Sequence, residues 1–171
     1  MGIKHIMVLG VGNLLFSDEG FGVHVVKALQ ERYDFAENIS VIDGGVLGMN
    51  LLGVISEADN LIVIDVIRNG GKPGALYRLE GEAIPERVRA KNSLHQVDFL
   101  ETLTMCQALD KVPETVILGV EPEDIDTLSI DLTLTTQAKV DPIIKMVLAE
   151  LDRLGVSYTK GASKNVPCNP I

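Results

Sequence analysis

The chain has 171 residues, enough for one domain with a sizeable core, and an ordinary globular mixture of 46% hydrophobic and 23% charged residues. A formal net charge of −9 disfavours nonspecific attraction to nucleic acid or to an anionic membrane, and favours a basic partner surface instead. No apolar stretch is long enough to span a bilayer, and the short run after Lys4 lacks a signal-peptide cleavage site, so the expected compartment is the cytoplasm.

Ile6 to Leu9 are consecutive apolar residues of the kind that fill a strand buried on both faces. From Phe21 the period changes: Phe21, Val25, Ala28 and Leu29 share one face at helical spacing. A buried strand therefore turns over Gly10 to Asp18 and feeds an amphipathic helix, and in open α/β sheets such a strand end is where ligands bind. The segment is not a dinucleotide site. Gly10 and Gly12 are followed by Leu15 where a third glycine is needed, and Asp18 and Glu19 would repel a pyrophosphate. Asp18 can cap the helix and Glu19 can complement its dipole, or a carboxylate here can serve as a hard metal ligand.

Farther along, Ile39 to Ile42 reads as a second strand ending in Asp43-Gly44-Gly45, and a short helix spans about Met49 to Ser56. Leu61 to Ile64 is a third buried strand ending at Asp65, and Gly70, Gly71, Pro73 and Gly74 then break the pattern. Ala75 to Glu80 alternates like an edge strand, and Asn92 or Ser93 caps a predicted helix running to about Leu109. Thr115 to Val120 is the next buried strand, ending in Glu121-Pro122. In the last helix Val140, Ile143, Ile144, Val147, Leu148, Leu151 and Leu154 form one apolar face, and Gly155 stops it. Asp141 and Lys145 are spaced for a pair on its outer face; Pro142 sits at its first turn with Asp141 as cap, or kinks a helix begun near Thr135. These elements predict a three-layer α/β/α fold: a mostly parallel sheet of about five strands with helices on both faces. A single domain over residues 1–156 and an irregular tail over 157–171 are expected.

The strand ends carry acid: Glu19 after the first, Asp43 at the second, Asp65 at the third, all converging on one rim of the sheet. Asp43-Gly44 is also a good turn dipeptide. Asp65 is harder to explain blandly, because it interrupts the apolar run Leu61 to Ile67 and needs a partner, either a basic residue such as Arg68 or a metal ion. Of the three histidines, His5 precedes the first strand and reads as structural, His24 reads as a surface or satisfied histidine, and His95 opens the Asn92 helix. Carboxylates with one imidazole make a workable site for Ni²⁺, Zn²⁺, Fe²⁺ or Co²⁺. Cys106 reads as a small core residue and Cys168 lies in the tail; with no C-x-x-C, neither a zinc cluster nor a redox pair is indicated.

The opening LGVGNLLFSDEGFGV, the DGG of Asp43 to Gly45, the strand-ending Asp65 and the SLHQ of Ser93 to Gln96 resemble the hydrogenase maturation endopeptidases. Those proteases remove the C-terminal extension of the large subunit of nickel–iron hydrogenases. The likeness runs from about Ile6 to Leu154, with the motifs in the family's order; the tail after Gly155 matches nothing. The resemblance implies that Glu19, Asp65 and His95 are metal ligands and that the acidic residue of the DGG turn is Asp43. It also implies that the nickel arrives in the hydrogenase precursor, which is cut after a basic residue nearby. Asp43 is then a candidate general base for the attacking water. The competing readings are a metallohydrolase with its own bound metal and a noncatalytic nickel-dependent chaperone of hydrogenase assembly.

Overall fold

Strand β1 (Ile6–Val11) is buried at every position, as an apolar run flanked by two layers requires. The computed structural model, which describes residues 2–45, 52–81 and 112–161, places it inside a five-stranded sheet. The chain leaves β1 through a 3₁₀ turn (Ser17–Gly20) into α1 (Phe21–Arg32), then forms β2 (Tyr33–Phe35) and β3 (Ile39–Gly45). Next come α2 (Leu52–Ser56), β4 (Asn60–Val66) and β5 (Leu76–Glu80). The last part holds β6 (Glu114–Val120), α3 (Leu134–Gln137), α4 (Val140–Arg153) and β7 (Tyr158–Lys160).

The sheet order is β3-β1-β4-β6-β5, with β3, β1, β4 and β6 mutually parallel and β5 antiparallel at one edge. Strand alternation sorts the core into two layers. Ile6, Val8, Ile62, Ile64, Leu118 and Val120 pack against α1 and α4, whose Phe21, Val25, Leu29, Ile143, Val147 and Leu151 face them. Met7, Leu9, Leu61, Val63, Ile67 and Ile117 pack on the other side against Ile55 of α2. This is the expected three-layer arrangement. Among the described residues, no helix is long and apolar enough to cross a membrane.

Three local expectations change. The segment after residue 156 is not wholly irregular: β7 pairs antiparallel with β2, and Tyr158 stacks edge-on against Tyr33 at 6.0 Å. Strands this short carry too little alternation to be read from sequence. Pro142 is the third residue of α4, and the separate helix α3, capped by Thr133, precedes it. The N-cap of α4 is therefore Lys139, and Asp141 pairs across to Arg32 of α1 at 2.6 Å rather than with Lys145. The start of the Met49 helix, the predicted Asn92–Leu109 helix with His95 and Cys106, and Cys168 lie outside the described residues.

Candidate active site

The carboxyl end of β1 is built on close contacts that only glycine permits. A Cβ on Gly10 would stand 2.3 Å from the carbonyl oxygen of Gly22, and one on Gly22 would stand 2.2 Å from that of Ile64. These two glycines let α1 lie directly on β1 and β4. Gly12 has φ +145, and a Cβ there would stand 1.8 Å from the carbonyl oxygen of Glu19. The glycines that fail as a nucleotide fingerprint instead press the 3₁₀ turn, and Glu19 with it, onto the end of β1.

The turn is fixed from below by Asp18, which is fully buried. Its Oδ2 accepts the backbone N–H groups of Glu123 (2.9 Å) and Asp124 (3.0 Å), and its Oδ1 accepts that of Thr133 (2.9 Å). The hydroxyls of Thr133 (3.0 Å) and Thr136 (2.5 Å) also donate to it. Burial alone would push the carboxyl up, but the donors from Thr136, Asp124, Thr133 and Glu123 outweigh it and hold Asp18 below the ordinary carboxylate value. Asp18 does not cap α1, whose N-cap is Gly20. It ties the β1 turn to the 123–136 segment. Its neighbour Ser17 holds a left-handed backbone (φ +46), with its N–H on the Ser129 carbonyl at 2.7 Å and its hydroxyl on that of Asp131 at 3.1 Å.

Asp65 lies on β4, the strand next to β1, in register with Gly119 of β6. By alternation it falls in the row Leu61, Val63, Ile67, so the expected carboxylate within an apolar row is real. Burial pushes its carboxyl up to about 8; the Val66 N–H, 2.7 Å from Oδ1, pulls it down, and the charge of Glu19 adds to the rise. Among the described residues, no basic side chain pairs with Asp65, and Arg68 is exposed.

Asp43 lies on the same edge but apart from this pair. It is exposed, aligned with Gly10, and its Oδ1 accepts the Gly45 N–H at 2.9 Å in the tight turn that ends β3. Gly10 is aligned with Ile64, one residue before Asp65, so Asp43 and Asp65 sit about 10 Å apart across two strand spacings and alternate to opposite faces. Among the described residues, no three of His, Cys, Asp and Glu come close enough to hold one ion. Glu19 and Asp65 are linked by the charge of Glu19 that raises the Asp65 carboxyl, Asp43 stands two strand spacings off, and His95 lies outside the described residues.

Sequence reasoning missed Glu121, buried at the end of β6. Its carboxylate accepts the N–H groups of Asn69 (2.8 Å) and Gly70 (3.1 Å) and the hydroxyl of Tyr77 (2.8 Å), which fixes the loop that follows Asp65. The available signal was the same as at Asp65, a carboxylate closing an apolar strand. His24 donates to the Ile130 carbonyl at 3.0 Å, and His5 shares a hydrogen bond with Ser40 at 2.8 Å at the other end of the sheet. A cavity of about 540 Å³ at that other edge is flanked by Glu80, Glu150 and Arg153. Its charges satisfy one another: Arg78 binds Glu150 at 2.5 Å and Glu80 at 3.0 Å, and Arg153 also pairs with Glu150.

A mostly parallel α/β sheet carries Glu19, in the turn after β1, and Asp65, at the end of the adjacent β4, on its carboxyl rim, where open α/β sheets bind their ligands. The hydrogenase maturation protease family (HycI) matches residues 23–150. A hydrogenase expression/formation protein HupD from Thiocapsa roseopersicina is 39% identical over 153 residues, covering 88% of this chain and 69% of its own. The hydrogenase 2 maturation protease of Escherichia coli is 37% identical over 153 residues, covering 88% and 93%. The solved structure of the E. coli hydrogenase maturating endopeptidase HybD superposes with a TM-score of 0.87 at 36% identity, covering 91% of this chain and 97% of that one. This chain belongs to the hydrogenase maturation protease family. It is an endopeptidase, a hydrolase of peptide bonds.

Proposed function

We propose that this endopeptidase removes the C-terminal extension from the nickel-loaded large-subunit precursor of a nickel–iron hydrogenase, in the cytoplasm, and that Glu19, Asp65 and His95 bind the nickel carried by that substrate. The observation that carries the proposal is the position of Asp65: a carboxylate at the end of β4 in an otherwise apolar row, pushed up by burial and by the charge of Glu19, with no basic residue paired to it among the described residues. A divalent cation removes both the repulsion and the desolvation penalty at once. The donor set also fits a visiting metal. Carboxylate oxygens and one imidazole, with no thiolate, hold a late transition metal weakly, so the precursor's cysteines must supply the rest.

In this reading, ligation fixes the scissile peptide beside the rim, where orientation lowers much of the barrier. Asp43, roughly two strand spacings away and anchored by Gly45, is assigned the water and not the metal in this reading. The water's oxygen attacks the peptide carbonyl as its proton passes to Asp43, and the protonated Asp43 then returns that proton to the departing amine as the carbon–nitrogen bond breaks. The test mixes chelator-treated, desalted protease with nickel-loaded precursor and follows the large subunit by mass spectrometry. Shortening of the loaded precursor and none of the nickel-free precursor is expected. Cleavage that requires metal restored to the protease, or that proceeds equally without nickel, overturns the reading.

A further inference from the structure

Beside Glu19, the protein exposes apolar side chains that the core does not use. Leu15 is 58% exposed, Leu128 75%, Ile130 66% and Leu134 89%. The backbone brings Leu15, Leu128 and Ile130 together, and Leu134 follows four residues on from Ile130, at the start of α3. The Ser129 N–H donates to the Leu15 carbonyl at 3.0 Å and the Ser17 N–H to the Ser129 carbonyl at 2.7 Å, which forms a parallel bridge between Phe16 and Ser129. That register sets Leu15 beside Leu128, with Ile130 two residues on along the same side. The Asp18 carboxylate, the Ser17 hydroxyl and His24 clamp the same segment from behind. A rigid frame thus holds leucine and isoleucine in water, where each loses the burial it would gain in the core.

The surround is acidic. Glu123, Asp126 and Asp131 are exposed around the patch, and residues 112–138 contain no lysine or arginine. An apolar centre inside a charged rim is the anatomy of a protein-docking surface. A second copy of this chain fits poorly, because a symmetric contact would set the acidic rim against itself. Four side chains offer on the order of 400 Å², about half of what each partner gives to a standard stable interface, which suits a contact that must release its product.

We propose that Leu15, Leu128, Ile130 and Leu134 form the docking surface for the folded part of the protein substrate, through an apolar segment flanked by lysine or arginine. This rests on the proposed function for the identity of the substrate, and adds where that substrate is held. The surface begins four residues before Glu19, so a partner seated on it has its neighbouring chain delivered to the rim.

The test measures binding and cleavage separately, with nickel-loaded precursor. Leu128→Ser combined with Ile130→Ser is expected to raise both Kd and KM at least tenfold while kcat stays within twofold. Asp126→Lys is expected to weaken binding at low salt and to flatten its salt dependence. Unchanged Kd in both variants overturns the docking surface, whether or not the wild type cleaves. Patch-dependent binding without cleavage by the wild type leaves the surface standing and overturns the protease reading. A wild-type dimer that the double variant splits, seen by light scattering, overturns the proposal in favour of a second copy. Should the double variant melt early, Asp126→Lys, on an exposed side chain, decides alone.

Discussion

Two carboxylates on the same rim, Asp18 fully buried and Asp65 half-buried, show opposite chemistry. Asp18 is met by backbone N–H groups from Glu123, Asp124 and Thr133 and by two threonine hydroxyls, and it is held as a carboxylate despite its burial. Asp65 is met by the N–H of its own neighbour and by the charge of Glu19, and its carboxyl rises to about 8. Burial acts in the same direction on both; the supply of donors decides the outcome. A carboxylate saturated with donors is a structural pin. One short of donors, with the charge of Glu19 added, keeps its proton to higher pH.

The comparison breaks first at function. Asp65→Asn and Glu19→Gln keep the size of the side chain and remove its charge, so under the proposed function each is expected to lower precursor processing at least about a hundredfold with the fold intact. His95→Ala should do the same. Stability should move the other way at Asp65. Its folded pKa lies above the unfolded 3.8, so the native state holds the extra proton, and ionisation erodes stability as pH climbs from about 4 to about 8. Asp65→Asn cannot ionise. It should therefore unfold at higher urea than the metal-free wild type at pH 8, and with little difference at pH 4. Equal midpoints at both pH values would mean that Asp65 is not desolvated.

Asp18→Asn should behave in the opposite manner. An amide nitrogen placed against the N–H groups of Glu123 and Asp124 sets donor against donor, and a loss of about 2–4 kcal/mol is expected. Because the folded pKa of Asp18 lies below 3.8, its contribution is present above that pH and is lost as pH falls through the folded value. The variant should therefore show a flatter acid limb in denaturation below about pH 4, and its processing rate should recover when the assay is cooled below its melting transition. A variant that folds as well as wild type yet processes nothing would make Asp18 part of the chemistry and end the contrast.

Much of this contrast was legible in the sequence, for a physical reason. Asp65 announces itself because it interrupts Leu61 to Ile67, and a buried strand signals its own exceptions. The mostly parallel sheet of about five strands could be anticipated from the alternation of strands and helices, but not the order of its strands. Asp18 misleads because its neighbours Glu19 and Gly20 suggest a helix cap, whereas its real partners lie 105 to 118 residues away. Glu121 was passed over for the same reason, since Tyr77 is 44 residues distant. Hydrogen bonds of that range leave no periodic trace. The glycines at 10, 12 and 22 were visible, but what they approach, the backbone of Gly22, Glu19 and Ile64, belongs to the packing of a helix on two strands.

The smallest expected effect tests whether the frame behind the rim is shared. Glu121 resembles Asp18 in kind, accepting two backbone N–H groups and one hydroxyl, but it holds the loop after β4 and not the turn that carries Glu19. His24 touches that turn's partner segment through a single bond to the Ile130 carbonyl. Loss of one partly exposed hydrogen bond is worth about 0.5–1.5 kcal/mol. His24→Ala should thus lower the urea midpoint slightly, leave kcat unchanged, and raise KM by no more than a few fold as the Ile130 segment loosens. Hydrogen exchange offers the sharper reading: the Ser17 and Ser129 amides, which close the bridge beside Glu19, should exchange faster in the variant, while the amides held by Asp18 should not. Equal acceleration at both places would show that the turn and the segment behind it open as one unit. In that case the pin at Asp18 and the clamp at His24 would be parts of a single cooperative frame.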